Sequence, residues 1–310
     1  MDVRQLRYFV EVVEAKSFTR AAERVHVAQP ALGFQVRKLE DELGVELLHR
    51  HSRGVDPTEA GQALLRHAYA VLRQIDLARQ ELMDLSGPPR GEIALGITPT
   101  ASALLATRLV QECTARYPGI SLKLVEGLSE DVMRWLDESR IDLGFTYNPD
   151  AVKGIPTDPL MREDLYFLAP AEKVPDLAKT ITLAAACRHA LILPSRPHGS
   201  RMLVEEAAAA HGISVDVSLE VDSVATIREL VEAGVGCTAL PFGAVRDGVE
   251  VGRLAAARIS RPRISRTLHL GFRPSGPPSA AGNAIHRVIQ DVAAERIEAG
   301  GGYWRAAKGE

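Results

Sequence analysis

Cysteine is scarce in this chain of 310 residues: Cys113, Cys187 and Cys237 lie far apart and make no closely spaced cysteine pair. That spacing argues against a disulfide scaffold and a structural zinc site, so no metal is expected. Long apolar runs are also missing, none approaching the roughly 18 residues needed to cross a membrane. The first thirteen residues interrupt their apolar positions with Asp2, Arg4, Arg7 and Glu11, unlike a secretion signal, so a cytoplasmic protein is expected. Positive charge is not in excess, 37 Lys and Arg standing against 40 Asp and Glu, which excludes a protein that coats nucleic acid by bulk basicity. Catalytic signatures are absent too: there is no Gly-x-Ser-x-Gly elbow, no glycine-rich phosphate loop with lysine and no HExxH pair. Neither enzymatic activity nor a cofactor is expected.

What is present divides by pattern. Hydrophobic residues make up 46% and charged residues 25% of a chain with near-zero mean hydropathy, enough for two or three domains with their own cores. Residues 1–58 hold short helical segments. Leu6, Phe9, Val10 and Val13 recur at helical spacing, and Ser17 stands at an N-cap position before Phe18 to Arg24. Pro30 suits a first helical turn, followed by Leu32, Val36, Leu39 and Leu43 on one face and Gly44 as a stop. A basic, turn-rich stretch from His49 to Pro57 closes the unit. Together these give a winged helix-turn-helix whose third helix enters a major groove of double-stranded DNA. Gln29 and Gln35 suit adenine edges, while Pro30, Ala31 and Phe34 offer contacts to thymine methyls. Lys16, Arg20, Arg37, Lys38, Arg50 and Arg53 are placed for phosphates or a minor groove. Charge is segregated here: residues 16–38 sum to +4 and residues 40–46 to −4.

Residues 59–87 form a linker helix in which Leu64, Ala68, Val71, Ile75, Ala78, Leu82 and Leu85 repeat 4-3-4-3-4-3, a heptad seam suited to pairing two copies. A Ser-Gly-Pro-Pro-Arg-Gly hinge at 86–91 follows. Beyond it β runs alternate with helices, predicting two parallel α/β subdomains, 91–160 plus 268–300 and 161–267, with a cleft between them. The tail 301–310 reads as flexible. Hydroxyls gather after strands: Thr98, Thr100 and Ser102; Ser129; Thr146 with Tyr147; and, across the cleft, Ser195 with His198. Ser102, Ser129 and Ser200 also sit where capping serines belong. Six arginines from Arg253 to Arg273 without one acid read as a solvated surface, with a subunit contact or anion site as the alternative.

Residues 4–61 resemble the amino-terminal module of LysR-type transcriptional regulators. The likeness rests on Leu6-Arg7-Tyr8-Phe9, Ser17 to Ala22, Ala28 to Leu32, Leu39 to Gly44, Leu47 to Arg50, Arg53 and Pro57 to Gly61, and it continues more weakly to the end of the chain. One departure is Gly33 with Phe34, where the family usually has a serine and a polar residue. The resemblance implies DNA contacts from Ser17, Arg20, Gln29, Pro30, Ala31, Gly33, Phe34, Gln35, Lys38, Arg50 and Arg53. It also implies a periplasmic-binding-protein-like domain that takes a small-molecule effector, a small organic acid or other anion, through Thr98, Thr100, Ser102, Ser129, Thr146, Tyr147, Ser195 and His198. The expected partners are an operator, a second copy through the linker helix, a homotetramer and RNA polymerase. A ligand-independent repressor, or a solute-binding protein or enzyme with an appended helix-turn-helix, stay open as alternatives.

Overall fold

A computed structural model of the chain describes residues 1–51, 54–84, 87–149, 154–274 and 279–307. At the amino terminus α1 (Val3–Ala15) opens on a capping box, in which Asp2 Oδ1 accepts the Gln5 N–H at 2.9 Å and Gln5 Oε1 accepts the Asp2 N–H at 2.8 Å. Ser17 Oγ caps α2 (Phe18–Arg24) by accepting from Arg20 N. Next, α3 (Gln29–Leu43) ends on Gly44 at φ +69°, the left-handed conformation that glycine adopts without Cβ strain. Strands β1 (Leu48–His51) and β2 (Gly54–Pro57) pair antiparallel as the wing. Leu6, Phe9, Ala21, Leu32, Val36, Leu39, Leu47 and Val55 are buried together as the core of this head. The acidic run after the basic stretch also has a structural task, because Glu40 Oε1 accepts the N–H groups of Leu47 and Leu48.

The linker helix is α4 (Glu59–Asp84). Thr58 Oγ1 accepts from Gly61 N at 2.9 Å and donates to Glu46 O at 2.7 Å, joining the wing to the helix start. Gly61 lies so close to the wing that a Cβ there would come within 2.0 Å of Leu47 O. The heptad seam divides in two. Ala68 is fully buried in the head core, with Leu64, Leu65, Tyr69 and Leu72 packed around it, whereas Val71 is 43% and Leu82 70% exposed. Leu85 lies outside the described residues.

The remainder forms two lobes threaded by one strand. The first lobe orders its strands β4 (Ile120–Glu126), β3 (Gly91–Ile97), β5 (Leu143–Tyr147), β12 (Ser265–Phe272) and β6 (Thr157–Pro170), with β13 (Trp304–Ala306) on the far side of β6. The second half of β6 carries β10 (Thr238–Pro241) on one side and, on the other, β11 (Leu254–Ser260) followed by β7 (Thr180–Thr182). The parallel pair β8 (Leu191–Leu193) and β9 (Val217–Glu220) adjoins β10 through the Leu191–Cys237 bridge. In the first lobe the helical run is α5 (Pro99–Ala101), a π turn at Ser102–Ala106 and α6 (Thr107–Arg116), then α7 (Ser129–Asp137). The second lobe carries α8 (Leu183–Ala186), α9 (Gly199–Ala209), α10 (Val224–Glu232) and α11 (Arg246–Glu250), and α12 (Ala280–Ala299) returns to the first.

Three expectations are corrected. The sheets are mixed rather than parallel, because β12, β13, β10 and β11 all run antiparallel to neighbours. The tail is not free as far as residue 307: Trp304 is buried and donates its indole N–H to Glu163 Oε2, while Tyr303 stacks on Phe242 at 3.5 Å. The arginines of 253–273 are only partly a solvated surface. Arg253, Arg261 and Arg263 are exposed, but Arg266 and Arg273 are buried and pair with Glu163 and Asp142, acids distant in sequence.

Candidate functional site

The head presents one polar face. Leu32, Val36 and Leu39 anchor α3 in the core, so its opposite side, with Gln29, Pro30, Ala31, Phe34, Arg37 and Lys38, faces solvent. Ala28 supplies no side-chain cap, Pro30 has no N–H and the Ala31 N–H donates to Ala28 O, so the start of α3 offers a phosphate little beyond the Gln29 N–H. Phe34 is 62% exposed, unusual for a ring unless it meets a partner. A Cβ on Gly33 would meet nothing of the protein nearer than Gln29 Nε2 at 3.9 Å, so no internal clash explains the glycine. Gln35 is half-buried beside these residues and Arg20 is exposed on α2. Ser17 acts as the α2 cap. Arg50 lies 4.3 Å above the Phe18 ring, a cation–π contact that ties the wing to α2 and gives this arginine a structural task. Arg53 falls outside the described residues.

The second site is a cleft of ≈ 680 Å³ between the lobes. From the first lobe come Thr98, Thr100, Ser129, Thr146 and Tyr147; from the second comes His198. Two expected residues do not line it. Ser102 sits inside the π turn, because the helix begins four residues earlier at Thr98. Ser195 instead donates its backbone N–H to Asp222 Oδ1 at 3.1 Å, in the turn leading toward α9. The capping roles expected of the serines are corrected as well. Ser129 Oγ accepts from Tyr147 N at 3.1 Å, drawing the end of β5 against α7. Ser200 receives a hydrogen bond from Arg266, and the cap of α9 is His198, whose Nδ1 accepts from Ser200 N at 3.2 Å.

That acceptor role fixes the His198 tautomer with its proton on Nε2. Burial, reinforced by the nearby Arg266 charge, lowers its pKa to about 4, so the ring is neutral at physiological pH. Buried hydroxyls supply the rest of the polar lining. Thr98 Oγ1 and Thr146 Oγ1 have no hydrogen-bond partner among the described residues, an arrangement that costs about 1 to 3 kcal/mol per group unless a ligand or water completes it.

The residue that organises the cleft is Arg266, which the sequence left among the surface arginines. Its guanidinium donates to Glu163 Oε1 at 2.9 Å, to Thr100 Oγ1 at 2.8 Å and to Ser200 Oγ at 3.2 Å, and lies 3.5 Å above the Tyr147 ring. It therefore holds α5, α9 and the end of β5 to one buried point. Most of its donors are already committed, so it is a strut between the lobes more than a free anion receptor. Glu130, Asp137 and Glu206 stand exposed among the lining residues, while Met133, Met202, Leu128 and Leu203 give an apolar wall. No cluster of His, Cys, Asp and Glu suited to a metal occurs among the described residues, and no helix among them is long and apolar enough to cross a membrane.

Comparison with known proteins matches the head and the two-lobed region separately. Residues 3–62 match the family described as bacterial regulatory helix-turn-helix protein, lysR family, and residues 86–294 match the LysR substrate binding domain. The nitrogen assimilation regulatory protein nac of Klebsiella aerogenes is 33% identical over 93% of this chain and 94% of its own length. The DNA-binding transcriptional dual regulator OxyR of Escherichia coli (strain K12) is 31% identical over 89% of this chain and 91% of its own. Among solved structures, full-length OxyR from Pseudomonas aeruginosa superposes with a TM-score of 0.76 at 28% identity, covering 94% of each chain.

Proposed function

The chain belongs to the LysR family of DNA-binding transcriptional regulators, and from that premise we propose that it reads an operator with the exposed start of α3 and is controlled by a small molecule held in the interlobe cleft. The observation that carries the DNA reading is the exposed, uncapped face of Gln29, Pro30, Ala31 and Phe34 over a well-packed α3. Because the positive face is small and bordered by the acids of residues 40–46, specificity comes from base contacts and the geometry of a dimer more than from bulk attraction. The experiment is to select genomic fragments with the full chain and compare the wild type with Gln29→Ala. Loss of one amide–adenine pair weakens operator binding about 5- to 150-fold, from about 1 to 3 kcal/mol, at an unchanged melting temperature. Equal affinity for the selected fragments would remove Gln29 from the interface.

The cleft reading rests on the two unpartnered threonine hydroxyls and the neutral His198. They suit the oxygens of a small organic acid whose charge sits deep, near the uncapped start of α5 and away from the rim carboxylates. Pairing through the exposed half of the α4 seam, tetramer assembly, a contact to RNA polymerase and a cytoplasmic location complete the proposal. Ligand closure can re-aim the heads only if the ligand prefers one arrangement of the lobes.

A further inference from the structure

We propose a second, separate anion site: a small oxyanion, a short carboxylate or inorganic phosphate, binds in the cavity beside the linker helix where Arg273 meets the start of α12. The cavity measures ≈ 200 Å³ and is lined by Arg273, by Asp142 with which it pairs, and by Ser279 and Gly282, with Ile93 and Phe272 among its apolar residues. It shares no lining residue with the interlobe cleft.

Charge counting is the main argument. Asp142, at the foot of β5, accepts Arg73 Nε at 2.7 Å and the Ala94 N–H at 2.9 Å. Arg273 stands 3.7 Å from the same carboxylate, beyond hydrogen-bonding distance, and its side chain is only 6% exposed. Two guanidiniums thus share one carboxylate, and among the described residues no other acid lies within ion-pair distance of Arg273, leaving an excess of one positive charge there. Burial pulls the Arg273 pKa down, Arg73 adds to that fall, and Asp142 opposes it.

The cavity supplies what an oxyanion needs. An arginine with unused N–H donors faces it, and so does the start of a twenty-residue helix, where Ser279 Oγ accepts from Gly282 N at 3.0 Å and keeps its own proton available to donate. A volume of ≈ 200 Å³ limits the occupant to a few atoms. Because Arg73 belongs to α4 and also reaches Glu92 O, an anion that neutralises the excess charge steadies the attachment of the linker helix to the first lobe.

The test uses the full chain at fixed ionic strength, titrated with inorganic phosphate or acetate against chloride. Thermal melting and calorimetry should give saturable binding and a rising Tm for at least one of the two, and which one it is distinguishes phosphate from carboxylate. Thr98→Val, which alters the cleft, should leave this binding intact; Arg273→Met should abolish it, and Arg273→Lys should weaken it at least fivefold. No saturable binding by either anion, or binding that persists unchanged in Arg273→Met, overturns the site. If Arg273→Met does not fold, unchanged binding by Arg273→Lys overturns it equally. Binding lost with Thr98→Val but not with the Arg273 variants places the anion in the cleft and sinks this inference while leaving the cleft reading standing.

Discussion

His198 combines three properties in one ring: it caps α9 through Nδ1, it lines the cleft, and burial beside Arg266 holds it neutral with a pKa lowered to about 4. A histidine whose folded pKa lies below its unfolded value near 6.5 binds fewer protons folded than unfolded. Its contribution to stability is therefore complete above pH 6.5 and declines as the pH falls toward 4. The expected loss is about 2 kcal/mol by pH 5, seen as a falling midpoint in urea titrations between pH 7.5 and 5. His198→Asn retains an acceptor for the Ser200 N–H and removes the titrating group, so it should flatten that part of the profile. An equally steep profile in the variant would assign the pH dependence to other groups.

Within single elements the clearest tension lies in α3, a recognition helix that carries a glycine in its second turn. Gly33→Ala adds a Cβ that meets nothing closer than 3.9 Å and removes the backbone entropy of glycine, so the head should gain about 0.5 to 1 kcal/mol in melting experiments. If Gly33 is there to let the backbone approach DNA, the same change should weaken operator binding. A more stable head with undiminished affinity defeats that explanation. The helices of the head were legible because caps and spacing declare themselves locally: Ser17, Pro30 and Gly44 act at the positions their chemistry suggests. The missed strands β7, β11 and β13 are short or rich in alanine, which favours helix in isolation, and are held by long-range pairing with β6 and β11. The first half of β6 was equally opaque. Its Arg162 and Glu163 carry no strand signal, and are held by Ser265 and Arg266 from a hundred residues away. Arg266 was missed at the cleft for that reason, since nothing near it in sequence marks its partners. The cleft hydroxyls were found because they follow strands, yet their serines were misread as caps since each helix starts earlier than the serine implies.

At the scale of the whole molecule, α4 serves two masters, and its seam shows where one ends. Its first half completes the core of the head through Ala68, with Leu64 and Leu72 packed against it, and Tyr69 donates to Glu14 Oε1 at 2.9 Å. Further on, Arg73 grips Asp142 of the first lobe. Val71 and Leu82 lie on the heptad repeat but outside both contacts, and together they leave an apolar stripe in water. If two copies pair along this stripe, a double Val71→Asp, Leu82→Asp variant should bury two carboxylates against each other in the dimer and shift it toward monomer. Sedimentation at micromolar concentration is the measurement, with the head fold checked by its unchanged helical signal. The substituted positions are exposed in the single chain, so intrinsic stability should move by no more than about 0.5 kcal/mol. Operator affinity should nonetheless fall steeply, because each head alone covers only one half-site. A variant that keeps the wild-type sedimentation coefficient would show that copies associate through some other surface, and the exposed stripe on α4 would then need a different occupant.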